Sequence, residues 1–96
     1  MIDLLLAAAA AVLLGAAVVA VLHWRRVQRE IQMRKIEDGF AEIFDDGLRN
    51  GYHEVHIDVF DRSGSRQTTR VIKARELDDE TQRRLRESGG TVRVYT

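Results

Sequence analysis

The sequence predicts an α+β protein held by one N-terminal transmembrane helix, and three observations carry that prediction. Residues 4 to 22 are 19 consecutive positions without a charged or hydrogen-bonding side chain. Arg25, Arg26 and Arg29 follow that run at once. Beyond residue 51 the pattern changes to short alternating segments punctuated by glycine and serine, which reads as strands and turns. The expected organisation is a transmembrane anchor over 1–23, a juxtamembrane amphipathic helix over 24–51 and a small cytoplasmic domain over 52–96. That domain is expected to be a β-β-α-β unit with a three-stranded sheet.

Length and composition narrow the chemistry. With the anchor set aside, 73 of the 96 residues remain, enough for one small domain whose single core is marginal without help. There is no cysteine, so neither a disulfide nor a thiolate metal cage supplies that help. Fifteen Lys and Arg balance fifteen Asp and Glu, so no global field attracts a polyanion. The charges are nevertheless ordered along the chain: Arg25 to Lys35 is mainly basic, and Glu37 to Asp46 is acidic.

A helix over the apolar run would reach roughly 28 Å, close to the hydrocarbon thickness of a bilayer. A cleavable signal peptide is disfavoured, because Met1, Ile2 and Asp3 offer no positive n-region and the alanines lie inside the run. Basic residues stay preferentially on the cytoplasmic side, so everything after residue 23 is expected there. Trp24, Arg25, Arg26 and Arg29 are the expected membrane-interface residues. Ala7, Ala11 and Gly15 recur every four residues and are the expected face for helix packing in the membrane.

From 24 to 49 the chain has no proline and many helix formers, so the helix is expected to continue out of the bilayer. Asn50 and Gly51 are its expected stop. Ile36, Phe40, Ile43 and Phe44 fall at intervals of three and four, a stripe expected to cover a core or a partner. On that reading Phe40→Ala unfolds the soluble region or releases its partner, while Asp61→Ala is nearly silent.

Strands are expected at 53–60 and 68–74, joined through Ser63, Gly64 and Ser65. A three-residue loop would set Ile57 opposite Val71 and Asp58 opposite Arg70. Asp78 is the expected N-cap of a helix ending near Gly89, and 91–96 reads as the third strand. Phe40, Phe44 and Leu85 are expected to cover the sheet.

Glu54, His56 and Asp58 are the only residues that invite a metal or catalytic reading. Alternate residues of one strand stand about 7 Å apart, too far for three ligands to close on one ion, so a solvated face paired to Arg66, Arg70 or Lys73 is preferred. His53 and His56 do not form the zinc-protease spacing, no phosphate loop is present, and no motif carries a resemblance to a known family. The chain is therefore expected to be no enzyme, with no cofactor, no metal, no nucleic acid and no small-molecule substrate. The expected function is an accessory or structural subunit of a larger membrane assembly, at the cell membrane. Its expected partners are the lipid bilayer and other membrane subunits, or a second copy through the span. The alternative is a membrane-tethered regulatory module that recruits a soluble cytoplasmic protein.

Overall fold

Val12–Leu22 forms a β-strand, β1, where the sequence leads one to expect a membrane helix. The computed structural model describes residues 12–96, and among them the elements run β1, α1 (Trp24–Arg34), β2 (Phe40–Arg49), β3 (Tyr52–Phe60), β4 (Arg66–Leu77), α2 (Asp79–Glu87) and β5 (Thr91–Tyr95). The strands make one five-stranded sheet in the order β1-β4-β3-β2-β5. β1 runs parallel to β4, and every other neighbour is antiparallel.

The expected fold class is thus corrected in three respects. Among the described residues no helix is long and apolar enough to cross a membrane, and Val12–Leu22 is a strand, so the transmembrane helix expected over 4–22 is overturned, its first part, 4–11, lying outside the described residues. The helix after Leu22 is a separate element that ends at Arg34, and residues 40–49 return as a strand. The sheet has five strands instead of three, with residues from both sides of position 51 hydrogen-bonded in it.

Physical reasons are visible at each point. An apolar run serves a sheet strand as well as a helix, and Val12, Val18, Val19 and Val21 favour the strand, which pairs with β4 at the edge of the sheet. In β2, Ala41 and Ile43 face one side while Phe40 and Phe44 face the other, and together they imitate a helical i, i+3, i+4 stripe. Asn50 and Gly51 stop no helix: they are the two turn residues of a hairpin, with φ of 54° and 81° between the paired Arg49 and Tyr52. Two consecutive positive φ values are what a two-residue hairpin turn requires.

The β3–β4 hairpin is present one residue out of the expected register. Ile57 faces Arg70 and Asp58 faces Thr69, with a shift between Val59 and Phe60. Asp61 organises its turn, accepting the backbone N–H groups of Ser63 and Ser65 and the Ser63 hydroxyl. It is not the bystander that the sequence implies.

One sheet face is covered. Ala41, Ile43, Val55, Ile57, Val59, Ile72 and Ala74 meet Trp24, Val27 and Ile31 of α1 and Leu85 of α2, all buried in one core. The same face carries Arg70, which reaches Glu30 at 3.4 Å. Glu30 lies in α1 with only 2 % of its surface exposed, and Arg26 and Arg34, one turn either side, close on its carboxylate. Burial alone would push the carboxyl up, but the Arg26 hydrogen bond and the charges of Arg34 and Arg70 outweigh it and hold Glu30 below its usual range.

The first and last parts of the chain are tied at one point. Asp78 caps α2 by accepting the Thr81 N–H at 2.9 Å, and its own N–H donates to the Leu22 carbonyl at 3.0 Å. Burial raises the Asp78 carboxyl, but hydrogen bonds from Thr81 and Trp24 and the nearby His23 leave it lowered overall. Arg84 of α2 lies over the Trp24 ring at 4.8 Å.

Candidate functional site

The other face of the sheet is not covered by either helix, and side chains on it are arranged in rows across the strands. Pairing of β5, β2 and β3 aligns Tyr95, Phe40 and Phe60. Phe40 and Phe60 stack with centroids 4.7 Å apart, and Tyr95 lies tilted 6.1 Å from Phe40. Next comes a polar row of Arg93, Glu42, Asp58 and Thr69. A third row sets Thr91, Phe44, His56 and Val71 side by side, with Phe44 stacked on His56 at 4.8 Å.

These rows follow from strand period together with the cross-strand register. Alternation puts every second residue on this face, and cross-strand neighbours then touch. Most of the aromatic rings are half-buried against one another, whereas Tyr95 at the β5 edge is 74 % exposed. Arg93 bridges two rows: its Nε donates to Glu42 Oε2 at 3.1 Å, and its guanidinium lies 4.6 Å from the Phe40 ring centre. A cation held over an aromatic face by a carboxylate is a rigid, amphipathic contact surface.

The residues singled out from sequence are distributed as follows. Trp24 is buried at 4 % exposure in the core, not at an interfacial belt. Arg26 turns inward to Glu30, while Arg25 and Arg29 are exposed. Ala7 and Ala11 lie outside the described residues, and Gly15 falls at the register shift between Leu14 and Ala17 in β1. Ile43 is in the core and Ile36 packs against it, but Phe40 and Phe44 stand on the opposite face. The stripe read as one surface is therefore split between two. Tyr95, Phe60 and Arg93 complete the aromatic face and were missed because only cross-strand register brings them to Phe40.

Asp58 and His56 no longer belong to one triad with Glu54. Asp58 is buried and its Oδ2 lies 3.7 Å from Arg66. In its place Asp46, beside the register shift of β2, approaches Glu54 and His56, and one ligand atom from each lies within 4.8 Å of the others. Two hairpin-side groups form a separate pair on the covered face, His53 Nδ1 and Asp45 Oδ2, at 2.7 Å. They line an open cleft of about 530 Å³ with Leu85 and Arg86 of α2. A second cleft of about 610 Å³ lies at the start of α1, where His23, Arg25 and Arg29 stand with Asp78 and Glu80. Its lining holds both acids and bases, and so presents no single-sign field to a ligand.

Comparison of the chain with protein-family models, with curated proteins and with solved structures found no match in any of the three.

Proposed function

We propose that the chain is a non-catalytic interaction module, an accessory subunit that docks a protein partner on the open face of its sheet. The observation that supports this reading is the row of Tyr95, Phe40 and Phe60 with Arg93 laid over it. Aromatic and arginine side chains are the types that dominate protein–protein contacts, and here they are held rigidly by stacking and a carboxylate. Glu42 beside Arg93 makes the face mixed in charge, which suits a protein surface better than a polyanion. A regulatory module that recruits its partner transiently uses the same face and differs in lifetime.

A place at the cell membrane, on its cytoplasmic side, is proposed along with this role. It rests on the apolar residues before position 12 and on exposed Arg25 and Arg29. Fractionation of native cells at low ionic strength tests it: recovery of the chain with the membrane pellet is expected, and recovery wholly in the soluble fraction would remove the membrane from the proposal.

The docking face is tested by placing a photo-cross-linking phenylalanine at position 95 or, as a control, at exposed Arg62. In native cells position 95 should give one discrete adduct heavier than a dimer of this chain, and position 62 none. Adducts of equal yield at both positions would remove the face from consideration. An adduct of twice the chain mass would replace the accessory reading by self-association.

A further inference from the structure

We propose that Asp46, Glu54 and His56 form a binding site for a divalent first-row transition ion such as Zn²⁺, a site that goes beyond the docking reading and does not depend on it. The three come from two neighbouring strands. Glu54 and His56 are alternate residues of β3, and Asp46 lies just past the Asp45–Val55 pair, where the β2 register shifts before Leu48. Within one strand three such ligands are too far apart, but an adjacent strand is only about 5 Å away and a shift in register can bring its carboxylate inward.

The His56 ring supplies an observation independent of the acids. Its Nε2 is shielded from solvent and has no hydrogen-bond partner, and Asp46 Oδ2 at 4.0 Å is too distant to be one. A shielded polar nitrogen left unpaired is destabilising, so such an atom asks for a role. Stacking on Phe44 with planes 10° apart fixes the ring orientation and keeps Nε2 directed at the cluster. An imidazole nitrogen so held is a preorganised ligand.

Charge and distance agree with a cation. Two carboxylates and a neutral imidazole neutralise a divalent ion, and ligand atoms on one zinc ion stand about 3.4 Å apart in tetrahedral geometry. The present separations, all within 4.8 Å, are wider than that and would have to shorten on binding. Arg49 already lies 3.2 Å from Asp46 Oδ2, and Lys73 is the cross-strand neighbour of Glu54. The Arg49 pair can withdraw, since its side chains are 62 % and 41 % exposed and exposed ion pairs of this kind contribute little. One nitrogen with two oxygens favours Zn²⁺, Co²⁺ or Ni²⁺ over Mg²⁺ or Ca²⁺, which take all-oxygen sets.

The test is calorimetric titration of the full chain with ZnCl₂, alongside Co²⁺ titration followed by visible absorption. One ion per chain is expected, with Mg²⁺ and Ca²⁺ failing to compete. Disturbing an outer-sphere partner of a metal typically costs about 10–100-fold in affinity, so His56→Ala should lose at least that much and Asp46→Asn a comparable factor. His23→Ala, at the exposed histidine outside the site, should bind as the parent does. Asp46 is exposed beside the register shift of β2, so Asp46→Asn keeps the test meaningful should His56→Ala unfold. No saturable Zn²⁺ binding by the parent chain, equal binding by Asp46→Asn, or loss of binding in His23→Ala instead would each overturn the proposal.

Discussion

Glu30 shows what a single residue contributes that no reading of the sequence anticipates. In the chain it is one acid in a basic stretch, but in the fold it is a nearly buried carboxylate between Arg26, Arg34 and Arg70. Arg26 and Arg34 were findable, since i, i+4 partners share a helix face. Arg70 was not, because the one-residue register of β4 decides whether it faces α1 or solvent. Glu30→Gln leaves three cations around a neutral amide. Removing one partner of a buried pair costs about 3–5 kcal/mol; here the arginines reach solvent, so a loss of about 2–4 kcal/mol is expected. The sign with pH follows from the lowered carboxyl: its stabilisation is complete above the ordinary glutamate value of 4.5 and is lost as pH falls through the lower folded one. Urea midpoints between pH 7 and pH 3 should therefore fall further in the parent than in Glu30→Gln; parallel curves would show that the carboxylate is not held by its arginines.

Elements were legible in proportion to how local their signals are. Alternation of Val55, Ile57 and Val59 marks β3, the Ser-Gly-Ser turn marks its hairpin, and Asp78 before an acidic first turn marks α2. β2 was not legible, because its two faces are both partly apolar and their sum has a helical period. The Asn50–Gly51 pair carried the opposite signal, a hairpin turn, and was the better guide. The entrance to β2 supplies an element-scale prediction. A Cβ on Gly39 would stand 2.2 Å from the Phe60 carbonyl oxygen and 3.0 Å from that of Ile36, both backbone atoms that cannot turn aside. The Gly39 carbonyl also accepts the Thr96 N–H at 3.1 Å, so the same point anchors the end of the chain beside β5. Gly39→Ala should cost about 1–3 kcal/mol in thermal or urea unfolding, the range for overpacking, with Arg62→Ala in the exposed turn close to neutral. Equal stability of the two would mean that β2 and β3 do not approach so closely there.

At the scale of the whole molecule, the decisive question is what the apolar run does. A stretch of 19 such residues meets the length criterion for a bilayer helix, and composition alone does not separate that from a strand paired into a sheet. The fold resolves it through long-range pairing: β1 lies parallel to β4, the Leu22 carbonyl accepts the Asp78 N–H, and Leu22 and Trp24 are buried in the same core as Ile72 and Ala74. The aromatic face and the Asp46, Glu54 and His56 cluster both rest on this sheet. The direct measurement is NMR of the full chain with labelled methyl groups and amides, read for contacts between β1 and β4. Val19 should show contacts to Ala74, and Ala17 to Ile72, with strong sequential Hα–HN and weak HN–HN contacts along 17–22. Consecutive strong HN–HN contacts through 12–22, with none from Val19 to Ala74, would make the run a helix and contradict the account.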